Sequence, residues 1–106
     1  MKKIVALAFA LSALCLFRPV VNAGQAENDG KGLFTEHCSG CHPDGGNIIT
    51  PKKDLSKAAR EANKVNTVET IIDKMRNPGP SMSKFETSDL SDSDAKAIAH
   101  YILKTF

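Results

Sequence analysis

Cys38-Ser39-Gly40-Cys41-His42 carries the densest chemistry in the chain. Two thiols three positions apart, followed at once by an imidazole, form the Cys-x-x-Cys-His attachment signature of a c-type haem. Each thiol can add to one vinyl group of a porphyrin and leave a thioether. The two intervening residues let the sulfurs reach neighbouring pyrrole rings. His42 can then offer a ring nitrogen to the iron.

One more axial position needs a donor. The candidates are Met82, Met75, His37 and His100, with lysines as weaker ligands. Met82 is preferred. It lies in Asn77-Pro78-Gly79-Pro80-Ser81-Met82, where two prolines stiffen the chain and no helix claims the side chain. Its thioether is soft and neutral, and Met/His ligation raises the potential of a haem iron. Met75 falls on an apolar stripe with Ile71 and Ile72 and reads as core or pocket wall. His37 abuts Cys38 and His100 falls on a predicted helix; both are poorer ligands.

Other uses of the same residues fit less well. Structural zinc takes four well-spaced ligands, and the chain has no second Cys/His pair at suitable spacing. A thioredoxin-like dithiol needs a βαβ setting, which the sequence lacks. A disulfide between Cys38 and Cys41 would leave His42 unexplained.

The elements that position these residues follow from pattern. Met1-Lys2-Lys3, an apolar run from Ile4 to Phe17 and Val21-Asn22-Ala23 read as an export signal over residues 1–23. The run is about 14 residues, short of the roughly 20 that a membrane span requires. Cys15 offers a competing lipid-attachment reading, but bulky Leu14 precedes it. Cleavage would leave residues 24–106 as one domain with no transmembrane span, with Cys38 and Cys41 as its cysteines.

The charge balance also changes. The whole sequence has 14 basic and 12 acidic side chains, net +2. Lys2, Lys3 and Arg18 leave with the signal and no acid does, so residues 24–106 are close to neutral. That balance gives no sign of a nucleic-acid footprint.

Within the domain, Gly24 to Asn28 is expected as a loose lead-in and Asp29 to about Cys38 as a first helix. Pro43-Asp44-Gly45-Gly46-Asn47 is a loop by composition, with Ile48-Ile49 expected as buried chain beside the haem. A backbone carbonyl in the Pro43–Pro51 segment should accept the His42 N–H. A second helix is expected from Asp54 or Leu55 to about Asn63. A third begins at Asn66, with an Asn66/Glu69 capping box, an apolar face of Val68, Ile71, Ile72 and Met75, and a stop at Asn77-Pro78-Gly79-Pro80. The last helix starts after Ser91 as N-cap and buries Ala97, Ile98, Tyr101, Ile102 and Phe106. No alternating strand pattern appears. The class is all-α, and a covalently held haem would staple an otherwise small core.

These segments in this order resemble the class I cytochromes c, especially the small monohaem subgroup of cyanobacterial photosynthetic carriers and small bacterial cytochromes. Gly30-x-x-x-Phe34-x-x-x-Cys38-x-x-Cys41-His42 is similar to the family's first helix and haem site. Asn77 to Met82 is similar to its methionine loop, and Ala97-Ile98-Ala99-His100-Tyr101-Ile102 to its last helix. The resemblance implies about four helices round one haem c, bound through Cys38 and Cys41 with His42 and Met82 on the iron. It also implies a close crossing of the first and last helices at Gly30, Phe34, Tyr101 and Ile98. Many relatives place Pro directly after the methionine; this chain has Ser83 and Lys84, so Lys84 is expected to compete with Met82 at high pH.

The expected function is a periplasmic one-electron carrier, not an enzyme. It would be monomeric, docking transiently with redox donors and acceptors such as a reductase, an oxidase or multihaem cytochromes. The alternative is a haem gas sensor or enzyme subunit with a displaceable sixth ligand. Lys52, Lys53, Lys57, Arg60 and Lys64 form a basic run, expected mainly as a solvated helix face. Glu86, Asp89, Asp92 and Asp94 are expected as helix-start acids.

Overall fold

The computed structural model describes residues 24–106, with side chains described from Asp29 onward. The expected export signal and Cys15 lie outside the described residues. Four helices follow in order: α1 (Gly24–His37), α2 (Lys57–Ala62), α3 (Val68–Arg76) and α4 (Asp92–Thr105). Single 3₁₀ turns at Pro43–Gly45 and Pro51–Lys53 punctuate the stretch between α1 and α2. Among the described residues there is no strand, and no helix is long and apolar enough to cross a membrane.

Helix α1 starts earlier than the expected Asp29. The supposed lead-in, Gly24 to Asn28, is helical, consistent with Gln25, Ala26 and Glu27 being good helix formers. Helix α2 starts later than expected. The Asp54 carboxylate accepts from Ser56 N at 3.0 Å and from its hydroxyl at 2.6 Å, which turns the chain before the helix. Ser56 then caps α2 by accepting from Ala59 N.

The cap of α3 lies one residue beyond the expected Asn66. Thr67 accepts from Thr70 N at 3.1 Å and gives its own N–H to Thr70 Oγ1 at 3.0 Å, so the reciprocal box is Thr67/Thr70, not Asn66/Glu69. A threonine hydroxyl at the third helical position does the work of the usual Glu or Gln. The cap of α4 is as expected: Ser91 accepts from Asp94 N at 3.2 Å. Leu90, just ahead of that cap, is 1% exposed and shares the core with Ala95, the placement of a hydrophobic staple.

The first and last helices form the frame. A Cβ on Gly30 would lie 2.6 Å from Ala97 O and 3.1 Å from Tyr101 Cβ, so the absent side chain sets how closely α1 meets α4. Phe34 packs on Tyr101 with ring centroids 5.3 Å apart, and Ile98 is fully buried at 0% exposure. Helix α3 closes the core by burying Ile71 and Met75. That core and the loops before α2 and before α4 enclose the site.

Candidate haem site

The Cys-x-x-Cys-His segment is a hydrogen-bonded turn that runs off the end of α1. Cys38 N donates to Phe34 O at 2.8 Å, His42 N to Cys38 O at 2.9 Å, and Ile48 N to Cys41 O at 3.1 Å. The turn places Cys38 half-buried and Cys41 exposed, with both thiols free. Burial pushes the Cys38 thiol up to about 11, so at neutral pH it is an uncharged, nearly apolar part of the wall.

His42 Nδ1 lies 2.7 Å from Gly46 O. A carbonyl oxygen only accepts, so Nδ1 carries the proton and donates it. The lone pair is therefore on Nε2, the nitrogen that remains for a metal. The orienting carbonyl falls inside the Pro43–Pro51 segment, as expected from sequence. Gly45 in this loop has φ +78°, a backbone that suits glycine, and Asp44 beside it also has positive φ, 52°.

A cavity of ≈370 Å³ brings the pieces together; Cys38, Cys41, His42 and Met82 all line it. Phe34, Leu55, Val65, Ile71, Met75 and Ile102 supply apolar wall. Met75 is 4% exposed, so it is both core and wall, as its stripe with Ile71 predicts. His37 also lines the cavity, edge-on to Phe85. His100 is exposed on α4 and does not line it. Among the described residues no three His, Cys, Asp or Glu side chains gather as a metal cluster.

The Met82 segment is tied down through Arg76, which no sequence pattern singles out. Arg76 at the end of α3 donates from Nη1 to Phe85 O at 3.0 Å and from Nη2 to Asp92 Oδ1 at 2.9 Å. Phe85 N donates to Met75 O at 2.9 Å, and Met82 N reaches Gly79 O at 3.3 Å. One guanidinium thus links the end of α3, the far side of the Met82 loop and the start of α4. Asp92 is its partner as well as a helix-start acid.

Two expectations about the site differ from the structure. Arg60 is not part of an exposed basic run: it is 5% exposed, with Nε on Leu55 O at 2.9 Å and Nη2 on Phe106 O at 3.1 Å. Lys52, Lys53, Lys57 and Lys64 are exposed, and Lys57 sits 3.9 Å from Glu61. Ile48 and Ile49 are not buried but 64% and 53% exposed. The Asn47 carboxamide accepts from Ile49 N and Thr50 N and donates to Lys53 O, turning this stretch outward, although Ile49 still lines the cavity.

Comparison with known proteins decides the family. The family model described as cytochrome c oxidase, cbb3-type, subunit III matches residues 25–102. Cytochrome c6 of Cyanidioschyzon merolae is 38% identical over 97 residues, covering 92% of this chain and 89% of its own. The chain belongs to the class I c-type cytochromes. Cytochrome c6 of Cyanidium caldarium is 36% identical over 100 residues, covering 94% of this chain and 89% of its own. Among solved structures, OmcF, the outer-membrane cytochrome F of Geobacter sulfurreducens, is similar at TM-score 0.71 and 44% identity, over 73% of this chain and 98% of its own. Oxidised cytochrome c6A of Arabidopsis thaliana is similar at TM-score 0.70 and 29% identity, over 74% and 88%.

This cytochrome therefore takes one covalently attached haem c and is a small monohaem electron carrier, not an enzyme. The residues present suit that group. The cavity wall is largely apolar, two thiols sit at the attachment spacing, and a histidine is held in the tautomer that frees Nε2.

Proposed function

We propose that this cytochrome is an exported, periplasmic one-electron carrier. Cys38 and Cys41 hold the haem by thioethers, and His42 and Met82 are its axial ligands. The observation that supports this most is the shared cavity. Residues from two separate loops, His42 after α1 and Met82 between α3 and α4, line one apolar space with both thiols.

Bound haem supplies a single-electron couple at iron. The protein's part is to hold its ligands still as that charge changes. His42 is oriented by Gly46 O, and such a hydrogen bond fixes the ring and raises ligand basicity. Met82 is held by a loop anchored through Arg76 and Phe85. The apolar part of the cavity wall would give the haem a low-polarity surrounding, which favours the less charged reduced state. Export by residues 1–23 would bring the chain to the periplasm. Its partners are larger redox proteins docking transiently, with the cytochrome itself a monomer.

Two measurements on exported, haem-loaded protein test this. A pyridine haemochrome spectrum should show haem joined by two thioethers, and Cys38→Ala or Cys41→Ala should shift it to a one-thioether form. The reduced protein should resist carbon monoxide. Fast, tight binding would instead support the sensor or enzyme-subunit reading with a displaceable Met82.

A further inference from the structure

Phe106 is far in sequence from His42, yet its contacts lead directly to the loop that orients that histidine. Its ring lies against Gly45: a Cβ there would fall 2.5 Å from Phe106 Cδ1 and 2.7 Å from Cγ. On its other sides the ring meets Phe34 at 5.5 Å and Tyr101 at 5.9 Å between centroids. The main chain of Phe106 is clamped as well. Arg60 Nη2 donates to its oxygen at 3.1 Å while Arg60 Nε donates to Leu55 O at 2.9 Å. Leu55 N in turn donates to Gly45 O at 2.7 Å. Gly45, Leu55, Arg60 and Phe106 thus form a closed ring of contacts.

The residue after Gly45 supplies the carbonyl that accepts from His42 Nδ1. Gly45 and Gly46 have no side chains with which to anchor themselves, and glycine is the most freely rotating backbone. Their conformation must be imposed from outside. Gly46 N is bonded to Pro43 O at 2.9 Å and Gly45 N to His42 O at 3.2 Å, both within the same short loop. Leu55 N and the Phe106 ring are contacts that tie this pair to the rest of the fold.

We propose that Phe106, clamped by Arg60, is a positioning residue for His42: it fixes Gly45–Gly46 and so the carbonyl that orients the imidazole. The inference rests on His42 being an iron ligand. A hydrogen bond from a ligating histidine to a firmly held acceptor sets ring orientation and ligand basicity. A mobile acceptor weakens both. The competing role for Phe106 is plain core filling, which would affect stability and leave the His42 hydrogen bond unchanged.

The test uses the full haem-loaded chain. Proton NMR follows exchange of the His42 Nδ1 proton with solvent, and voltammetry follows the midpoint potential. Phe106→Ala should speed that exchange and move the potential, with Phe106→Leu between it and the unsubstituted protein. Ile98→Val, a buried change on the helix that Phe106 caps and away from the loop, should do neither. Arg60→Met should speed the exchange, and adding it to Phe106→Ala should produce little further change, because both act through one clamp. Exchange and potential in Phe106→Ala that match those of Ile98→Val overturn the proposal. Where Phe106→Ala fails to load haem, the same comparison with Phe106→Leu decides. Paramagnetically shifted His42 ring protons in the ferric protein establish the ligand independently; their absence would remove the His42 assignment itself, and with it this inference.

Discussion

Lys84 is two residues from Met82 and exposed, with Nζ 3.0 Å from Glu86 Oε1. As an ammonium it has no lone pair to offer. Once deprotonated, its amine is a harder donor than the Met82 thioether and suits ferric iron. The expected result is loss of Met ligation on alkaline titration of the ferric protein, and abolition of that transition in Lys84→Ala. An unchanged titration would remove Lys84 as the incoming ligand. The pair with Glu86 is a surface contact of at most about 1 kcal/mol, so it steers the side chain at neutral pH without preventing the exchange.

At the scale of elements, the α1–α4 crossing carries the frame and Gly30 sets its distance. In an open helix, Ala for Gly gains roughly 0.5–1 kcal/mol. Here the new Cβ would lie 2.6 Å from Ala97 O, a backbone atom of a packed helix. Overpacking of that kind costs about 1–3 kcal/mol, which outweighs the helical gain. Gly30→Ala should therefore lower the midpoint of thermal unfolding by several degrees, about 4–8 °C for each net kcal/mol lost in a domain of this size. A rise in that midpoint would show that α1 and α4 can separate without loss. The 15-residue stretch between α3 and α4 depends on a different device: Arg76 bonds both Phe85 O and Asp92. Those two bonds anchor the stretch in which Ser83 and Lys84 follow Met82.

For the molecule as a whole, what was legible in the sequence was what short-range chemistry determines. Cys38-Ser39-Gly40-Cys41-His42, the Ser91 cap and the stop after α3 depend on residues a few places apart. The close approach at Gly30 was legible through the family resemblance. The remainder depends on contacts that no local pattern encodes. Arg60 lies in a run of lysines, and only the packing of Phe106 against the loop after Cys41-His42 shows why this one cation is buried. Arg76 reads as an ordinary last-turn base until Phe85 and Asp92 are brought to it. The Thr67/Thr70 box was obscured by neighbouring Asn66 and Glu69, which satisfy the same capping rule one residue earlier. Ile48 and Ile49 look like core by composition, but the Asn47 side chain turns them outward.

In the proposed site one apolar cavity would hold a haem between His42 and Met82, and both residues would remain bound to the iron as its charge changes. The most direct test is the weak charge-transfer absorption band that a methionine sulfur gives to ferric haem iron. At neutral pH the haem-loaded chain should show this band, and Met82→Ala should lose it while retaining two thioethers in the pyridine haemochrome spectrum. Persistence of the band in Met82→Ala would contradict the account and assign the sulfur to another methionine, with Met75 on the same cavity wall as the first to examine.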